Sequence, residues 1–200
     1  SKNKLWYIYI ILAITSVLGG WAIKAFVWRK QIKEKKEFST LKEELSVIMF
    51  TDMKGFSKHM SKNEKETLEI IKEYEKIMRE LILKHGGKVI KTIGDAVMAI
   101  FKSAMHAVNC AMEIQEALKD KKFKVRIGLH LGEVTSVEGD VYGHNVNIAS
   151  RIEGRAPPAG VAISEDIFRQ VKGKVNYKFR AIGREKLKNI KEPIKLYKII

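Results

Sequence analysis

Lys88–Phe101 reads KVIKTIGDAVMAIF: two six-residue apolar and β-branched runs separated by Gly94-Asp95. Each run has the length and composition of a strand. A Gly-Asp pair between them predicts a hairpin, because glycine accepts the positive φ that a tight turn requires. The hairpin demands antiparallel neighbours in a chain that elsewhere alternates strands and helices. Leu45–Phe50 (LSVIMF) reads as a buried strand before it. Asn63–His85 reads as a helix, with Leu68, Ile71, Tyr74, Met78, Leu81 and Ile82 at helical spacing and Gly86-Gly87 as its stop. After the hairpin come a helix over 103–118, the strand FKVRIGLHLGEV, a helix over Asn145–Ile152, a turn at Pro157–Gly160, the strand VAIS, a short helix over Glu165–Val171, and late runs near Tyr177–Ile182 and Ile194–Ile199. This order predicts an α+β fold, a mixed and mostly antiparallel sheet with helices packed on it, rather than a doubly wound parallel sheet.

The rest of the composition bounds the function. Two hundred residues hold one ordinary domain and a small remainder. The single cysteine, Cys110, cannot form an intrachain disulfide or a multi-cysteine metal site, and its apolar helical setting predicts a buried thiol. The net charge is +15, and residues 1–40 hold +6 of it, from eight Lys and Arg against two Glu. The remainder is spread among many acidic residues without the basic and aromatic interleaving of a nucleic-acid binder, so nucleic acid is not an expected partner.

Leu5–Ile23, LWYIYIILAITSVLGGWAI, is nineteen uncharged residues, long enough to cross a bilayer as a helix, with Trp6, Tyr7, Trp21 and Trp28 placed as interfacial anchors. The expected organisation is therefore a transmembrane helix with flanks over 1–28, a basic helical linker over 29–45 with coiled-coil potential, and a soluble domain over 46–200. The Lys- and Arg-rich flank after the span puts residues 29–200 in the cytoplasm, at the plasma membrane. A chain opening at Ser1 carries the expectation of further residues upstream, such as an external sensor.

Chemistry-bearing residues gather at the ends of the strands. Asp52 follows the first strand and Asp95 sits at the hairpin tip, so the two carboxylates can converge on a hard cation. Gly55, Phe56 and Ser57 open a loop whose backbone N–H groups suit phosphate. Asn147 and Arg151, four apart, share one helix face and can hold a ribose and a phosphoryl charge. Lys91 interrupts an apolar run, so it either faces solvent on an open sheet face or lines a site there. Taken singly, these residues also fit turn chemistry and solvated faces.

FTDMKGFS, KVIKTIGDAVMAIF, VRIGLHLGEV and GDVYGHNVNIASR, in this order and spacing, strongly resemble the class III nucleotidyl cyclases, the adenylate and guanylate cyclase catalytic domain. The similarity covers Ser46–Ile200. It implies a ferredoxin-like α+β core in which Asp52, Asp95 and the Met53 backbone carbonyl hold two divalent cations, Mg²⁺ or Mn²⁺. Gly55, Phe56, Ser57 and Lys188 take the triphosphate, Lys91 and Asp140 read the base, Asn147 orients the ribose and Arg151 stabilises the transition state. It also implies a homodimer with two composite sites and no dedicated protein base. Lys91 can donate to adenine N1 and Asp140 can accept from the exocyclic amine, whereas guanine presents the opposite pattern, so ATP is the expected substrate. The expectation is a membrane-anchored adenylate cyclase that makes 3′,5′-cyclic AMP and pyrophosphate for signal transduction. The rival readings are a silent cyclase-like dimerisation module and a guanylate cyclase. Glu133–Asp140 is shorter than the hairpin arm of many relatives, and Lys54 stands beside Asp52.

Overall fold

The computed structural model describes residues 24, 28–29, 41–56, 60–61 and 64–200. The chain divides into two units, Ser1–Lys42 and Glu43–Ile200. In the first, Lys24, Trp28 and Arg29 are helical and exposed. The expected span over 5–23 and linker residues 30–40 lie outside the described residues. Among the described residues no helix is long and apolar enough to cross a membrane.

The second unit carries β1 (Lys42–Met53), α1 (Glu64–Lys84), β2 (Lys88–Ile93), β3 (Ala96–Phe101), α2 (Ala104–Ala117), β4 (Val125–Val137), β5 (Asp140–Tyr142), α3 (His144–Glu153), β6 (Val161–Ser164), α4 (Glu165–Val171), β7 (Phe179–Glu185) and β8 (Ile194–Ile199). They form one mixed sheet in the order β2-β3-β1-β4-β6-β8-β7, with β5 paired to β4. β4 and β6 run parallel, while β1–β3, β2–β3, β4–β5, β6–β8 and β7–β8 are antiparallel. This is the α+β arrangement expected from the hairpin.

Strand alternation separates the two faces of the sheet. Val47, Met49 and Met53 of β1, Val97, Ala99 and Phe101 of β3, and Val125, Ile127 and Leu129 of β4 face one way, into a core with Tyr74, Met78 and Ile82 of α1, Ala107 and Ile114 of α2, and Ile167 of α4. Cys110 is buried in this layer, which pushes its thiol up to about 12. The opposite face carries Ile48, Met98, Ile100 and Val134, packed with Val141 and Ala149. Here α3 lies very close to β4. A Cβ on Gly128 would stand 2.3 Å from the Glu153 nitrogen, and one on Gly132 would stand 2.2 Å from Asn145 Cγ. Glycine at these two positions lets the helix seat. Asn145 then fixes the start of α3, donating to the Glu133 carbonyl at 2.9 Å and lying 3.2 Å from His130 Nε2.

Two elements depart from the sequence reading. β1 begins at Lys42 instead of Leu45, because its exposed first residues pair without an apolar signature. β5 was not expected: three residues carry no periodicity. β4 runs on to Val137, turns through Glu138 (φ 49°) and Gly139 (φ 89°), and returns as β5, so the short Glu133–Asp140 stretch is itself a compact hairpin.

Candidate active site

The Thr51 hydroxyl accepts the Val97 N–H at 3.0 Å in the core, tying the end of β1 to β3. The next residue, Asp52, emerges on the α3 side of the sheet. Met53 then turns its side chain into the core, and its N–H donates to Asp95 Oδ2 at 3.1 Å. The β2–β3 turn and the end of β1 are thereby held together, with Asp52, Met53 and Asp95 in one place. Burial pushes the Asp95 carboxyl above its ordinary range, its own and the Met53 amide oppose the shift, and the Asp52 charge adds to it.

Two residues that the sequence reading missed complete this cluster. Arg126 of β4, on the α3 side by alternation, pairs with Asp52 through one guanidinium nitrogen and approaches Glu153 Oε1 at 2.9 Å through Nε. The Nε approach is an ion pair by distance without hydrogen-bond alignment. Glu153 closes α3 above Gly128 and is largely buried. Burial pushes its carboxyl up to about 7 against the pull of Arg126, with the Asp52 and Asp95 charges adding to the rise. Arg126 had a detectable signal, since it interrupts an apolar strand as Lys91 does. Glu153 had none, because an acidic residue ending a helix is commonplace.

The cluster fits divalent cations of the Mg²⁺ class. Among the described residues no three acidic, imidazole or thiol groups converge as a closed cage. The donors brought together are the Asp52 and Asp95 carboxylates, hard oxygens of which one on Asp52 pairs with Arg126 and one on Asp95 accepts the Met53 N–H. That partial set suits a cation that keeps water and takes further ligands from substrate phosphates.

Lys91 and Asp140 form a second group. In β2 the register to β3 shifts between Val89 and Lys91: Val89 opposes Ala99, and Lys91 opposes Met98. Ile90 is the extra residue of a bulge. A regular ladder would place Lys91 opposite Val97, in the helix-covered core. The bulge brings it to the other face, where its Nζ meets Asp140 Oδ2 at 2.7 Å. Asp140 Oδ1 accepts the Val141 N–H at 2.7 Å. The hydrogen bond from Lys91 holds the Asp140 carboxyl below its ordinary range. Lys91 thus lies on the sheet face away from the helical core, as the sequence reading expected, partly exposed and paired with Asp140.

Asn147 and Arg151 are exposed on α3, four residues apart. Lys188 is exposed in the β7–β8 connection, beside a basic concavity of about 600 Å³ lined by Arg155, Lys186, Lys188 and Lys191. Gly55 takes φ 84° in the turn after β1, and Phe56 packs partly against the helical core. Ser57 lies outside the described residues.

The family model described as the adenylate and guanylate cyclase catalytic domain matches residues 40–200. A protein of Rhizobium meliloti (strain 1021), provisionally named adenylate cyclase 3, is 33% identical over 167 residues, covering 79% of this chain and 28% of its own length. A crystal structure of an adenylate/guanylate cyclase/hydrolase from Silicibacter pomeroyi superposes with TM-score 0.75 at 31% identity, over 80% of this chain and 98% of that one. The guanylate cyclase domain of RhGC from Catenaria anguillulae, in complex with GTP, superposes with TM-score 0.73 at 26% identity, over 80% and 98% of the respective chains. This chain spans between 17% and 42% of the length of the first curated relatives it matches.

Proposed function

Because the chain belongs to the adenylate and guanylate cyclase catalytic-domain family, we propose that it converts ATP to 3′,5′-cyclic AMP and pyrophosphate. The observation that carries the choice of ATP is the Lys91–Asp140 pair, whose donor and acceptor stand 2.7 Å apart on one rim. Lys91 donates to adenine N1 and Asp140 accepts from the exocyclic amine. Guanine would set its own N1–H against the ammonium and its carbonyl against the carboxylate, leaving both partners unmatched.

The ribose 3′-oxygen forms a bond to the α-phosphorus as the bond from that phosphorus to the bridging α–β oxygen breaks. Pyrophosphate leaves, and the 3′-hydroxyl proton passes to solvent. Asp52, Asp95 and the Met53 carbonyl would hold two divalent cations, Mg²⁺ or Mn²⁺, which would offset phosphate charge and acidify the 3′-hydroxyl. Asn147 hydrogen-bonds the ribose and fixes the direction of attack. Arg151 meets the charge that develops on the phosphoryl oxygens. Gly55, Phe56 and Ser57 present backbone N–H groups to the triphosphate, and Lys188 adds a charge.

The metal residues and the Asn147/Arg151/Lys91/Asp140 set work across a homodimer interface, each protomer supplying half of each site. The apolar stretch over 5–23 anchors the protein in the plasma membrane, with the catalytic domain on the cytoplasmic side. Turnover of ATP and of GTP by the purified protein with Mg²⁺ or Mn²⁺, with Asp95→Ala as control, tests the proposal. Metal-dependent cyclic AMP that is absent in the control is expected. Cyclic GMP in its place would overturn the base assignment, and no product from either nucleotide would overturn the activity.

A further inference from the structure

β5 is three residues long, and strand alternation puts Val141 on one face with Asp140 and Tyr142 together on the other. Val141 is 2% exposed in the core, so Tyr142 is obliged to stand beside Asp140, and it remains 53% exposed. Lys91 Nζ lies over the Tyr142 ring, 5.6 Å from its centroid. Asp140, two residues back on the same face, pushes the Tyr142 phenol above its ordinary range. The Tyr142 side chain therefore stands beside both members of a pair that lie 49 residues apart in the chain.

We propose that Tyr142 is a positioning residue for nucleobase selection, its ring face holding the Lys91 ammonium in line beside the Asp140 carboxylate. The inference rests on Lys91 and Asp140 reading the base. A lysine ammonium is a rotating point charge on a four-carbon stem, so a single ion pair fixes its distance but not its direction. A ring face beneath it supplies the second anchor. Asp140 is held by two donors, Lys91 Nζ and the Val141 N–H, at 2.7 Å each. Without the ring the lysine donor wanders, and with it the match to the base.

The test compares the full chain with Tyr142→Phe, Tyr142→Trp and Tyr142→Leu. Calorimetry measures the affinity of the α,β-methylene analogues of ATP and GTP, and steady-state kinetics give KM and kcat for both nucleotides. The melting temperature and the Mn²⁺ affinity serve as controls on the fold. Phe and Trp keep a ring face, and the ATP-to-GTP affinity ratio is expected to stay within about twofold of the wild type in each. Leu loses the ring face, and the ratio is expected to fall by more than about fivefold, with KM for ATP rising more than kcat falls. A residue that merely fills space would not sort the three variants by base. A ratio within about twofold of the wild type in Leu, or a fall in Phe as large as that in Leu, overturns the proposal. A wild-type protein that prefers the GTP analogue overturns the adenine reading instead, and the movement of the ratio across the variants still decides the role of Tyr142.

Discussion

Arg126 Nε lies 2.9 Å from Glu153 Oε1 across the seam between β4 and α3, while the other end of the same guanidinium pairs with Asp52. A helix terminus is thus wired electrostatically to the end of the strand that carries a proposed metal ligand. Burial raises Glu153 from an ordinary 4.5 to about 7. Below about pH 4.5 both the folded and unfolded chains hold this proton, and Glu153 costs nothing. Between 4.5 and 7 the unfolded chain ionises while the folded one does not, so stability is lost as pH rises, on the order of 3 kcal/mol, and then levels off. Glu153→Gln should remove this part of the slope. Urea unfolding of both proteins at pH 5, 6 and 7.5 reads the difference, and parallel profiles would mean that Glu153 is already ionised in the neutral folded protein.

Asp95→Asn keeps the shape of the β2–β3 turn and can still accept the Met53 N–H, but it removes one of two anionic donors. Mn²⁺ affinity, measured by calorimetry without nucleotide, should fall by more than about tenfold, a loss that even the outer partners of a metal produce. The melting temperature should hold or rise, since burial and the Asp52 charge both disfavour the ionised carboxyl. Undiminished Mn²⁺ binding would place the cations elsewhere.

A composite homodimer makes a quantitative demand. Equal mixtures of Asp95→Ala and Arg151→Ala, each inactive alone, should recover about a quarter of the wild-type specific activity, because half of the dimers are mixed and each has one intact site. Cyclic AMP formation after mixing at concentrations that allow subunit exchange reads this directly. No recovery between freely exchanging subunits would mean that both residues serve the same half-site.

Gly128→Ala is a one-methyl change with a disproportionate expected cost. The new Cβ would stand 2.3 Å from the Glu153 nitrogen and 2.6 Å from its Cα, both on backbone that cannot yield locally. Lifting α3 should cost about 2–3 kcal/mol and lower the melting temperature by roughly 5–10 °C. It should also expose the Glu153 carboxyl to water, relieving the burial that raises it. Thermal unfolding checks the first expectation, and loss of the pH 5 to 7.5 slope described above checks the second. A Gly128→Ala protein that melts as the wild type does would show that α3 can slide.

What the sequence disclosed follows the range of the signal. The Gly94-Asp95 hairpin, the Tyr74/Met78/Ile82 stripe and the short helix Glu165–Val171 are local patterns, and the structure has them where the periodicity puts them. The strand end and the hairpin tip brought Asp52 and Asp95 into view as a pair, and the Met53 N–H ties the two segments together. Glu153 was invisible because its role arises from a helix crossing two glycines of another element, and no spacing within α3 encodes that approach. Tyr142 was passed over because a three-residue strand is too short to announce which way its side chains face.

The bulge at Ile90 has an implication for how the chain selects its own register. In the regular register Lys91 would lie opposite Val97, which is 2% exposed beneath the helices, and an ammonium there would have no partner. The lysine therefore penalises the very pairing that simple alternation favours. Replacing it by an aliphatic residue would remove more than a hydrogen-bond donor, since it would lift the penalty on a slipped hairpin whose turn still carries Asp95. Lys91 proofreads the strand alignment on which its own position depends, so hydrogen exchange along β2 in Lys91→Met should report two alignments where the wild type has one.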